Sequence, residues 1–78
     1  MFVEIISPDR KIFEGEATGL SLPGMDGSLG ILNRHAPLIS SLKKGEVKLT
    51  HPSQGLMKFP INGGVIEVLN NKVIILAE

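Results

Sequence analysis

Two histidines, eight carboxylates and a set of regularly spaced glycines are the residues in this 78-residue sequence whose types could support chemistry. His35 and His51 lie at no familiar ligand spacing from each other or from an acid. A single histidine in a loop more often holds a surface hydrogen bond than a metal ion. The acids, from Glu4 to Glu78, are dispersed over expected turns and strand surfaces, and no two are marked as a general acid and its base. Gly24, Gly27 and Gly30 recur every third residue, but no Lys-Ser or Lys-Thr follows, as a phosphate-binding loop would require. They read instead as glycines of tight turns and close strand approach. With no cysteine, thiol chemistry and cysteine-based metal sites are excluded. The expectation is a protein without catalytic residues and without a cofactor.

The elements that would position these residues are short and pleated. Ile and Val together number fourteen against three Ala, a balance that favours strands. Nine Gly and five Pro punctuate the chain along its whole length, which points to an all-β sandwich or small barrel in one domain, residues 1–78. Val47 and Leu49 alternate with Glu46, Lys48 and Thr50; Leu20 and Leu22 alternate with Gly19 and Ser21. Met57, Phe59 and Ile61 form a third such stripe, where Pro60 argues for an edge strand or a bulge. The first strand, Phe2 to Ile6, should turn Val3 and Ile5 inward, and Pro8-Asp9-Arg10 should turn the chain into a strand around Ile12 and Phe13. Gly63-Gly64 reads as a bulge or sharp bend. Val65–Leu69 and Lys72–Ala77 flank Asn70-Asn71, a two-residue hairpin turn at which Asn tolerates the positive φ required. Only Ala36 to Lys44 competes as helix, for a turn or two before Gly45.

Charge and hydropathy narrow the partners. Eight basic and eight acidic residues cancel, so the basic footprint of a nucleic-acid binder is missing. The opening Met1-Phe2-Val3-Glu4 does not resemble a signal peptide. The longest apolar run, Val73 to Ala77, is far shorter than the ~20 residues of a membrane-spanning helix, so no direct membrane insertion is expected.

Three ordered blocks carry a resemblance. Leu22-Pro23-Gly24, then Gly27-Ser28-Leu29-Gly30, then His35-Ala36-Pro37 form the first; Phe59 to Gly64 with Val65-Ile66-Glu67-Val68 and Leu76-Ala77-Glu78 form the second; Val3 to Pro8 forms the third. In this order and spacing they resemble the epsilon subunit family of the rotary F-type ATP synthase. The resemblance implies a ten-stranded flattened sandwich of two five-stranded, mainly antiparallel sheets. It implies a non-catalytic rotor subunit, monomeric when isolated. In the complex that subunit docks on gamma beside the ring of c subunits, peripheral at the cytoplasmic face of a bacterial inner membrane. It implies further that the loop Met25, Asp26, Gly27, Ser28, with neighbouring His35, approaches the polar loops of the ring. Many relatives carry an acid where Ser28 stands, a role Asp26 could take over. No residue matches the family's C-terminal helical hairpin, so the expected subunit couples but does not brake ATP hydrolysis through that hairpin.

One reading comes from the residues alone. In the closing hairpin both faces are apolar: Val73, Ile75 and Ala77 on one side, Ile74 and Leu76 on the other, with Val65 and Leu69 opposing Ile66 and Val68. A small sandwich has one interior, so the surplus needs another cover. Curvature, loops or the chain ends could supply it. The favoured reading is an exposed patch kept for a partner, with Val65, Leu69, Ile74 and Leu76 facing gamma. A freestanding β-sandwich that binds a peptide or small ligand is the alternative, since sheet architecture alone does not fix function.

Overall fold

A computed structural model describes all 78 residues as nine strands joined by turns. They are β1 (Phe2–Ile6), β2 (Lys11–Glu16), β3 (Gly19–Gly24), β4 (Gly27–Leu32), β5 (Leu38–Leu42), β6 (Gly45–His51), β7 (Gly55–Ile61), β8 (Gly64–Leu69) and β9 (Lys72–Ala77). The all-β expectation holds, but nine strands form rather than ten. Their hydrogen bonding runs as one path, β2-β1-β9-β8-β5-β3-β6-β7, with β4 on the free side of β3. That path is pinched at β5 and β3, which share only the pair Gly24 and Leu42. The pinch divides the sheet into halves of five strands (β2-β1-β9-β8-β5) and four (β4-β3-β6-β7), in place of the two fives implied by resemblance. All pairs are antiparallel except β1 with β9.

Period-2 alternation decides what each half buries. Val3, Ile5, Ile66, Val68, Val73 and Ile75 point inward from the five-stranded half; Leu20, Leu22, Ile31, Val47, Leu49 and Ile61 point inward from the other. Together they belong to one core cluster of 16 residues, so the two halves fold over a shared interior. The outermost strands of the path meet as well. Phe13 of β2 and Phe59 of β7 stack at a tilt with centroids 5.3 Å apart, which curls the sheet back on itself. A register shift at Ile5/Ile6 inserts one extra residue into β2 and lets Ile12 as well as Phe13 pack on the core.

The Asn70-Asn71 turn forms as expected, with φ of 51° and 60° at its two residues, the signature of a type I′ hairpin. Pro60 lies in β7, an edge strand, where its missing N–H leaves no ladder bond unmade. The helical possibility over Ala36 to Lys44 is overturned: Leu38–Leu42 is strand β5, paired with β8 from Leu38 opposite Val68 to Leu42 opposite Gly64. Leu38, Ser40 and Leu42 face in and Ile39 and Ser41 face out, a two-residue period that a helix could not satisfy. No helix of the protein is long and apolar enough to cross a membrane.

Candidate interaction surface

The strands run nearly end to end, so their connections gather at two poles. One pole carries the turns Ser7–Arg10, Met25–Asp26, Lys43–Lys44 and Asn62–Gly63; the other carries Asn33–Pro37, the turn after His51, and Asn70-Asn71.

At the first pole, β3 and β4 close over Met25-Asp26, with Gly24 opposite Gly27. Gly27 takes φ of 129°, and a Cβ on Gly24 would lie 2.5 Å from the Gly27 carbonyl oxygen, so the turn needs both glycines. The turn is braced from behind: Met25 N–H donates to the Ser41 carbonyl at 3.2 Å and Lys43 N–H to the Pro23 carbonyl at 2.8 Å. Met25 is left 58% exposed at its tip, beside Asp26.

His35 does not share this pole. Residues 28 to 32 are extended β4, so Ser28 and Leu32 are about 13 Å apart at ~3.3 Å per residue, and His35 lies beyond Leu32. His35 N–H donates to the Leu32 carbonyl at 3.2 Å, and its Nδ1 donates to the Ala36 carbonyl at 2.7 Å, which places the ring proton on Nδ1. Its loop is tied down by two asparagines. Asn71 Oδ1 accepts from Arg34 N–H at 2.8 Å, and Asn33 Oδ1 accepts from the Met1 ammonium at 2.6 Å. Closeness in sequence therefore misled: the strand between Ser28 and His35 carries them to opposite ends of the molecule. His51 ends β6 and braces the turn that follows, its Nδ1 accepting the N–H groups of Ser53 and Gln54, each at 3.1 Å. No group of three or more His, Cys, Asp or Glu side chains comes together as a metal site.

Between the poles lie the two outer faces, and they differ. The four-stranded half shows solvent Ser21, Glu46, Lys48, Thr50 and Lys58, with Leu32 and Leu56 exposed at the two ends of one cross-strand row and separated by Gly19 and Thr50. The five-stranded half is charged over β2 and β1 but apolar over β9, β8 and β5. Val65, Leu69 and Leu76 are exposed and Ile74 is half-buried, so of the two covers considered for the surplus, loops and curvature do not provide one. Ile39 joins them at 72% exposure, on a strand that had been read as possible helix, which is why its face was missed. Ile39, Val65, Glu67, Ile74 and Leu76 line one shallow groove across the three strands. Apolar patches of this kind mark interaction sites.

On the charged side, the Lys11 ammonium is held above its ordinary pKa, first by its hydrogen bond to Glu14 and further by Glu4, against a smaller opposing effect of desolvation. Glu4 also receives Lys72 at 3.7 Å. These charges neutralise one another in place.

The family pattern of the ATP synthase delta/epsilon chain, beta-sandwich domain, matches residues 1–78. The chain is 41% identical over 76 residues to the ATP synthase epsilon chain of Chlorobium limicola, covering 97% of this chain and 86% of that one. It is 42% identical over 78 residues to ATP synthase epsilon chain 1 of Methylococcus capsulatus, covering 100% of this chain but 56% of the relative. It thus spans most of the first and little more than half of the second. A chain of the Tetrahymena thermophila mitochondrial ATP synthase central stalk/c-ring structure superposes with a TM-score of 0.81 at 18% identity, covering 97% of this chain and 61% of that one. At that identity the likeness speaks to the fold alone. Sequence, fold and the matched pattern agree: the chain belongs to the ATP synthase delta/epsilon family, its residues 1–78 matching that family's beta-sandwich domain.

Proposed function

We propose that this domain is a non-catalytic part of the synthase rotor. The apolar face of β5, β8 and β9 docks on the gamma subunit, and the Met25–Ser28 turn meets the c-ring. The observation that carries the reading is the contrast between the two outer faces. One is mostly polar, its exposed Leu32 and Leu56 held apart by Gly19 and Thr50, whereas the other offers Ile39, Val65, Leu69, Ile74 and Leu76 as neighbouring apolar surface with no cover from the chain itself. A coupling subunit needs no reactive groups. It needs two surfaces that grip different neighbours, joined by a body stiff enough to transmit torque, and a two-layered sheet with one packed core is such a body. Association with the membrane then comes through the complex, at the cytoplasmic face of the bacterial inner membrane, since its curated relatives include bacterial epsilon chains. The residues present are strand and turn throughout, so they supply coupling contacts rather than a helical brake.

Leu76→Lys and Ile39→Lys test the docking face. Both side chains are more than half exposed, so unfolding free energy should move by no more than about 0.5 kcal/mol. Affinity for the synthase's own gamma subunit, measured by calorimetry, should fall about tenfold or more for each. Unchanged affinity in both variants would mean that gamma sits elsewhere.

A further inference from the structure

The outward residues of the five-stranded half fall into cross-strand rows, and the middle row runs Glu14, Glu4, Ile74, Glu67, Ile39 from β2 to β5. Glu4 and Glu67 therefore stand on either side of the same isoleucine, in opposite circumstances. Glu4 is compensated by Lys11 at 3.4 Å and Lys72 at 3.7 Å. Glu67 takes part in none of the chain's ion pairs. Its partners across the strands are Ile74 and Ile39, and its same-face neighbours along β8 are Val65 and Leu69. Lys72, one row away on β9, lines a groove with Glu67 but forms its ion pair with Glu4 and lies over the Phe2 ring at 5.8 Å from the centroid. The apolar face thus carries one unmatched charge, and that charge is near its centre.

In the free chain this carboxylate is hydrated. A partner that covers Ile39, Val65, Leu69 and Ile74 must also strip the water from Glu67, and an ion desolvated without a counter-ion opposes binding strongly. We infer that the partner surface docking on this face is apolar with a single Lys or Arg side chain directed at Glu67, and that this pair fixes the orientation in which the partner seats. An Arg would satisfy the carboxylate with two parallel hydrogen bonds, which sets rotation as well as position. The inference rests on the reading that gamma docks here. Its chemistry goes further, because apolar complementarity alone allows a partner to slide along a flat sheet face, whereas one ion pair at the centre selects a register. A different role for Glu67, that of a lone charge discouraging self-association of an exposed sheet face, predicts no loss of affinity when the charge is removed.

Glu67→Gln keeps size and hydrogen-bonding capacity and removes the charge; Glu67→Lys reverses it. Glu67 is solvent-exposed, so thermal melting of both variants should match the unsubstituted chain and show that each is folded. Calorimetry against the synthase's own gamma subunit should then show about 30-fold or greater loss for Glu67→Gln, since truncating one partner of a desolvated pair leaves the other unpaired. Glu67→Lys should show no measurable binding. Equal or tighter binding by Glu67→Gln overturns the inference, because relieving an uncompensated carboxylate would strengthen docking. Self-association of Glu67→Gln in sedimentation with gamma affinity unchanged would overturn it in favour of the guarding role. If Leu76→Lys weakens binding and Glu67→Gln does not, the docking face stands and the ion pair falls. If the unsubstituted chain fails to bind gamma, both fall.

Discussion

Gly64 opens β8 at a φ of 148°, and a Cβ there would sit 2.1 Å from the Leu76 carbonyl oxygen. No L side chain relieves that contact without pulling β8 from β9, so Gly64→Ala should lower unfolding free energy by more than about 3 kcal/mol in urea titration. The glycine pair was legible as a bend from composition alone. Which of the two is sterically irreplaceable was not, because that depends on a carbonyl twelve residues away in the chain. The same limit applied to the site residues. Met25, Asp26, Gly27 and Ser28 could be placed together, since a two-residue turn between glycines is local. His35 could not be placed, because its distance from them is set by the extended length of β4. Glu67 passed unnoticed for a related reason. One carboxylate in an alternating strand looks like any solvated residue until the cross-strand rows show isoleucine on both sides.

Hairpins were the elements that local chemistry specified best. Asn70-Asn71 closes β8 on β9 because both residues accept left-handed backbone, and the flanking strands pair without interruption from Gly64 with Ala77 to Leu69 with Lys72. Asn71 also holds the Arg34 amide, so the turn serves a second loop at the same time. Asn71→Gly should keep the turn, cost about 1 kcal/mol for the lost hydrogen bond, and speed amide exchange at Arg34. Asn71→Ala should cost about 1 kcal/mol more, since alanine lacks asparagine's tolerance of positive φ. A smaller gap between the two variants would mean that backbone strain at this position is unimportant. β5 was the least legible element. Its two serines and short length leave the helical and pleated periods nearly equal, and only pairing with β8 settles them. Tertiary contact, not propensity, made it a strand.

At the scale of the whole molecule, the division into two poles limits what the domain can touch with a given loop. The protein has no cysteine, so single replacements report cleanly. In the assembled synthase, Asp26→Cys should cross-link to a c subunit bearing a cysteine in its polar loop, and His35→Cys should not. Cross-linking by both would require the domain to lie on its side against the ring. The count of strands and their grouping into five and four were beyond sequence reasoning, because the single Gly24–Leu42 pair at the pinch depends on how far two strands diverge. That path also places β9 between β1 and β8, as the one parallel neighbour of a strand some seventy residues earlier. Val3 and Ile5 on β1 therefore gain their second neighbouring strand only from a segment about seventy residues away, when β9 slots between β1 and β8. Closure by so distant a strand raises the entropy that must be lost before the pairing rewards it, which slows folding for a chain of this size.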